Sequence, residues 1–218
     1  MILKSVILHS VGEAARRNEL LREVSNLKSG DFALFGELPV AGYSNLNDSA
    51  LFGEIVSNLK PGAFAALCLA RGGRDEIVIF SHLGEVYSRA KTALFTPNGE
   101  DEKFSAGDAS EVRVFEIGGV KFGALICFEL RFTALWRALE SADVILVPAM
   151  WGAGRGEQFE ILVRALALQN RCYVVATSDL DFKFERVVAP NGEKLGKSAE
   201  FDPGSAKNFA ASLGLIQI

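Results

Sequence analysis

Three apolar stretches of this 218-residue sequence each run directly into an ionisable residue. DFALFGE (31–37) ends at Glu37, GEVYSRAK (84–91) reaches Lys91, and KFGALIC (121–127) ends at Cys127. Strand ends are rigid platforms from which loops project, and charge at the end of a buried strand must be paired or used. A thiol, a carboxylate and an ammonium together support nucleophilic chemistry. Free cysteine has a pKa near about 8.5, so a nucleophilic thiol needs help at neutral pH. A carboxylate in reach takes the thiol proton and later passes it to a leaving amine. A fixed ammonium, with the N–H of the following residue Phe128, offsets negative charge on a tetrahedral intermediate. Each residue alone has a plainer reading: Cys127 as packing, Glu37 as a cap or solvated charge, Lys91 as a surface cation. The joint pattern is what favours catalysis.

The elements that must hold these groups follow from periodicity. Residues 2–8 read as a strand. Residues 13–27 read as a helix, with Ala14, Leu20, Leu21, Val24 and Leu27 on one face. After the strand leading to Glu37, a second helix over 49–59 is stopped by Pro61-Gly62. Strands over 63–70 and 76–81 form a hairpin through 71–74, continued by 84–89. Residues 91–110 make a long polar loop, a length that is often functional. A second hairpin, 111–117 with 120–127, turns at Gly118-Gly119 and leads to a helix over 132–140. A strand over 143–149 and a helix over 156–169 follow, the helix carrying Phe159, Leu162, Val163 and Leu166 inward and a Glu160–Arg164 pair outward. Strands over 172–177 and 184–189 follow, and the turn 190–193 leads to a last short strand. This mixture of βαβ units and hairpins predicts one α/β domain over residues 1–218 with a mixed sheet or two sheets, each covered by helices.

Other chemistries find little support. The net charge of −4 and the lack of any cationic cluster longer than Arg16-Arg17 argue against nucleic acid as a partner. No apolar run approaches membrane-spanning length, and MILKSVILHS lacks the features of a signal peptide. Cys68, Cys127 and Cys172 are scattered within apolar runs, which fits a reducing cytoplasm. A Cys–His enzyme would need His9 or His82, and neither has an informative neighbour. There is no C-x-x-C or H-x-x-x-H for a metal, and the glycine run 152–156 lacks the Lys-Ser/Thr ending of a phosphate loop. No metal or organic cofactor is expected. Glu129 and Arg131 are expected to pair structurally, and Trp151 to line the pocket or to cover the core.

At the same residues the sequence resembles the carbon–nitrogen hydrolase (nitrilase) superfamily. The segments GELPVAGY, SRAKTALF and GALICFELRF occur in the family's order of Glu, Lys and Cys, and LWRALESADVILVPAMW and RALALQNRCYVVAT extend the likeness. The resemblance implies a four-layer αββα sandwich with two mixed β-sheets, pairing with a second copy as a homodimer or higher oligomer. It implies Cys127 as the nucleophile forming a thioester, Glu37 as the general base and Lys91 as the stabiliser of the intermediate. A second glutamate follows the lysine in many members, and the segment EKFSAG places Glu102 there, beside Glu100 and Asp101. Phe128 and Trp151 are the expected substrate-binding residues. The implied substrate is a small amide, with water as co-substrate; a small dicarboxylate monoamide, a nitrile or a carbamoyl compound are the finer alternatives. A catalytically silent dimeric scaffold is the rival reading. Phe128-Glu129 in place of Tyr-Asp, and Ala93 in place of a histidine, depart from the common pattern without removing a catalytic group.

Overall fold

Residues 74–81 alternate strictly, Ile77 and Ile79 entering one apolar cluster and Val78 and Phe80 another. Period-2 alternation with both faces apolar means a strand covered on both sides. The computed structural model describes residues 1–44 and 49–214, without the side chain of Ser49. In chain order the regular elements are β1 (Ile2–Ser5), α1 (Glu13–Asn26), β2 (Asp31–Leu34), α2 (Ser49–Asn58), β3 (Phe64–Arg71), β4 (Arg74–Ser81), β5 (Gly84–Ala90), β6 (Phe115–Ile117), β7 (Val120–Ala124), α3 (Thr133–Ala138), β8 (Val144–Ala149), α4 (Gly156–Asn170), β9 (Tyr173–Ser178), β10 (Phe184–Val188), β11 (Lys194–Gly196), β12 (Ser198–Glu200) and α5 (Ser205–Ser212).

The strands form two six-stranded mixed sheets, ordered β12-β1-β2-β3-β4-β5 and β11-β10-β9-β8-β7-β6. The parallel neighbours are β1–β2, β2–β3, β7–β8 and β8–β9. Parallel neighbours need a crossover, and α1, α2, α3 and α4 supply one each. Leu20 and Val24 of α1, with Leu51 and Ile55 of α2, pack on the outer face of the first sheet. Phe159, Val163 and Leu166 of α4 cover the second. Between the sheets, Phe32 stacks on Phe122 with ring centroids 4.7 Å apart. The layers therefore run α-β-β-α, as the resemblance implies. Among the described residues no helix is long and apolar enough to cross a membrane.

Several local expectations are corrected. The second hairpin is shorter than periodicity suggested, because residues 109–111 form a 3-10 turn ahead of β6. β7 stops at Ala124, three residues before Cys127. Glu160 pairs with Lys194 at 2.7 Å, while the Arg164 Nε donates to the Gly192 carbonyl at 3.1 Å. The β11 hairpin packs along α4 and offers both side chains better partners than each other.

Candidate active site

Glu37 stands three residues beyond β2. Gly36 permits the close approach that brings it there, since a Cβ at that position would lie 2.9 Å from the Asp179 Cβ and 3.3 Å from the Ala149 oxygen. The Glu37 N–H donates to that Ala149 oxygen at 3.3 Å, and the Met150 N–H donates back to Glu37 Oε2 at 2.8 Å. The end of β2 in one sheet is thereby pinned to the end of β8 in the other. Lys91 follows β5 directly, its N–H donating to the Asp75 carbonyl at 2.8 Å. Gly107 donates to the Lys91 carbonyl at 2.8 Å, and a Cβ on Gly107 would lie 2.8 Å from the Ala90 Cβ. Inside this clamp the buried Lys91 Nζ donates to Glu37 Oε1 at 2.6 Å and lies 2.9 and 2.7 Å from the two Glu100 oxygens.

Cys127 opens a 3-10 turn, Cys127–Arg131, with its backbone in the left-handed region at φ +47°. Few side chains adopt that conformation, and strain of this kind concentrates at functional positions. Glu129 holds the turn. Its carboxylate accepts from the Ile126 N–H at 2.6 Å, from the Thr92 N–H at 2.6 Å and hydroxyl at 2.9 Å, and from both Arg89 nitrogens at 2.9 and 2.5 Å. One buried carboxylate thus ties the residue before Cys127 to the residue after Lys91. The expected Glu129–Arg131 pair does not form. The turn carries Arg131 outward, where it donates to Gln158 Oε1 at 2.6 Å and lies 5.0 Å from the centre of the Trp151 ring.

Proton affinities follow from this packing. Burial opposes the Glu37 charge, yet the Lys91 ammonium, bonded to it at 2.6 Å, outweighs that and holds the carboxyl below the ordinary range. Burial and the Glu37 charge push the Cys127 thiol well up, with Lys91 opposing. Burial disfavours the Lys91 charge, but Glu37, Cys127, Asp75 and Glu100 more than restore it. The resting site is a buried thiol within range of a carboxylate that is bonded to an ammonium. A thiol in this state is a poor nucleophile until its proton is taken.

Cys127, 7% exposed, opens into a pocket also lined by Tyr43, Phe95, Glu100, Phe128 and Trp151. Trp151 does both things the sequence left open. Its Nε1 donates to the Arg155 carbonyl at 2.8 Å, and its ring packs on Phe159 in the core at 4.9 Å. Phe128 lies against Phe95 and Phe132 with centroids 5.0 and 5.2 Å apart. Glu102, placed at the site from sequence, is on the exposed surface, and the buried Glu100 stands against Lys91 instead. The turn after Gly99 explains the shift: Phe104 N–H donates to the Glu100 carbonyl at 2.8 Å, so Glu100 and Phe104 share the inward face. That i, i+4 relation to a lone apolar residue was the available signal. Tyr43, whose hydroxyl donates to Glu100 at 2.6 Å, and Asp75 and Arg89 were also missed.

The chain is similar to known proteins of one hydrolase family. The carbon-nitrogen hydrolase family profile matches residues 66–203. A Mycobacterium tuberculosis hydrolase is 36% identical over 95 residues, 42% of this chain and 34% of that protein. A deaminated glutathione amidase from Synechocystis is 32% identical over 114 residues, 44% of this chain and 42% of that protein. The matched regions therefore span less than half the length of these relatives. A crystal structure of a CN-hydrolase superfamily protein from Xanthomonas campestris, with an arsenic adduct in its active site, superposes with a TM-score of 0.79 at 18% identity, covering 98% of this chain and 94% of the other.

Proposed function

Because the chain belongs to the carbon–nitrogen hydrolase family, we propose that it hydrolyses the carbon–nitrogen bond of a small carboxamide through a Cys127 thioester. The observation that carries this reading is the buried Glu37–Lys91 pair, bonded at 2.6 Å, with the Cys127 thiol within range of the Glu37 charge. The amidase name of the Synechocystis relative supports amide over nitrile chemistry. As the Cys127 sulfur bonds to the amide carbon, its proton passes to Glu37. Lys91 and the Phe128 N–H hold the oxyanion. Glu37 then protonates the departing nitrogen, the carbon–nitrogen bond breaks and ammonia or an amine leaves. A water that gives its proton to Glu37 attacks the thioester, the acid departs, and the sulfur recovers the proton. Glu100 keeps Lys91 charged and in place. All three cysteines are free thiols, which supports a cytoplasmic setting. A homodimer belongs to the same reading, with exposed Phe132, Ile161 and Leu168 as support.

The substrate reading rests on Arg131 and Arg155 at the pocket wall. Arg155 lies 5.1 Å from the centre of the Phe95 ring. Both are exposed, and neither pairs with a carboxylate among the described residues. Unpaired guanidinium groups beside a nucleophile suit an acyl group ending in a carboxylate, such as a dicarboxylate monoamide. Ammonia release across neutral, cationic and carboxylate-bearing amides, with nitriles and carbamoyl compounds alongside and Cys127→Ala as blank, tests both parts. The acid amides are expected to lead, and Arg155→Ala to raise their KM about tenfold. Equal turnover in the blank would overturn the mechanism, and a preference for cationic amides would overturn the substrate class.

A further inference from the structure

Three carboxyl groups (Glu37, Glu100 and Asp75) share the buried floor of the site with one ammonium, Lys91. Their hydrogen-bond donors are unevenly divided. Glu37 accepts from Lys91 and the Met150 N–H, and Glu100 from Lys91, Tyr43 and the Phe95 N–H. Asp75 is 1% exposed, and neither of its oxygens takes a donor among the described residues. The Lys91 Nζ stands 4.0 Å from Asp75 Oδ2 while bonded to the other two carboxyls. Asp75 has no freedom to leave: its carbonyl accepts the Lys91 N–H, and β4 alternation places it on the inner face with Ile77 and Ile79.

An ionised carboxylate without donors is not tolerated in such a place. A protonated one brings its own donor, and the Glu37 carboxylate, bonded to the Lys91 Nζ that stands 4.0 Å from Asp75, is the acceptor beside it. We propose that Asp75 is held as a neutral acid whose O–H donates to Glu37, which makes it a positioning residue for the general base. This rests on the reading of Glu37 as that base. The groups that face Asp75 are Glu37, Lys91 and Glu100, with the Cys68 thiol on neighbouring β3. Burial and the Glu37 charge push the Asp75 carboxyl well up, with only Lys91 opposing, which agrees with the donor count. Carboxyls in contact titrate as a pair, and an apolar setting can keep one acid neutral at pH 7.

Two variants and a spectrum test this. Wild-type protein is expected to show the infrared C=O stretch of a protonated carboxyl at neutral pH, lost in Asp75→Asn. Asp75→Val removes the donor, so the acid limb of kcat/KM is expected to move to higher pH by about one unit. Asp75→Asn, whose amide also donates, is expected to bring the limb back. Absence of the band, no limb shift in Asp75→Val, or a shift to lower pH in both variants (the sign for removing an ionised neighbour) would overturn the proposal. The infrared band does not depend on turnover, so a failed amidase reading would leave it intact and be told apart.

Discussion

Glu37→Gln is expected to lower kcat/KM for any accepted amide by about a thousandfold, within the range that general acid–base groups contribute. The reason is specific to this site. Cys127 rests as a thiol because burial and the Glu37 charge raise its proton affinity. Among the described residues Glu37 is the carboxylate whose charge raises the thiol, so it is the expected proton acceptor, and Lys91 is already bonded to Glu37 and Glu100. The amide leaves the shape of the site intact, so the melting temperature should change far less than the rate. The pH profile gives an independent sign. Glu37 is held below the ordinary carboxylate range, so activity should be full well into the acid region and fall only as pH drops through that depressed value. The variant should lose that limb. A Glu37→Gln protein within about threefold of wild type would contradict the role, since such a change is near the error of most kinetic comparisons.

The largest effect on stability is expected from Glu129→Ala, at about 3–5 kcal/mol, the cost of leaving one member of a buried ion pair without its partner. Arg89 would keep a buried charge, and the Ile126 and Thr92 N–H groups would lose their acceptor. Burial opposes the Glu129 charge, but Arg89 and the backbone donors outweigh it, so its carboxyl sits below the ordinary range. The stabilisation is therefore present above the unfolded carboxylate pKa and is lost as pH falls through the lower folded value. Urea unfolding of wild type and variant at neutral and acid pH measures both features. The gap should narrow in acid. A loss under about 1 kcal/mol, the scale of an exposed pair, would mean that Glu129 does not hold the turn.

Much of this was legible in the sequence because it is periodic or terminal. Two-fold alternation in β4, the i, i+3, i+4 faces of α1 and α4, and the ionisable residues Glu37, Lys91 and Cys127 at the ends of apolar runs needed no partner to be read. What escaped depends on pairs far apart in the chain. Glu129 finds Arg89 forty residues away, so the nearer Arg131 was the natural but mistaken choice. Glu100 and Glu102 are equally acidic, and only the turn that buries Phe104 separates them. Asp75 sat in phase with Ile77 and Ile79, yet a carboxyl on a core face is unexpected unless the charges across the sheet are known.

Acid quenching during the first turnovers with a carboxylate-bearing amide shows whether Cys127 carries the acyl group. Peptide masses should show the acyl increment on the fragment containing Cys127 and none on those containing Cys68 or Cys172. Ammonia release with the acyl group found on any other residue would contradict the account.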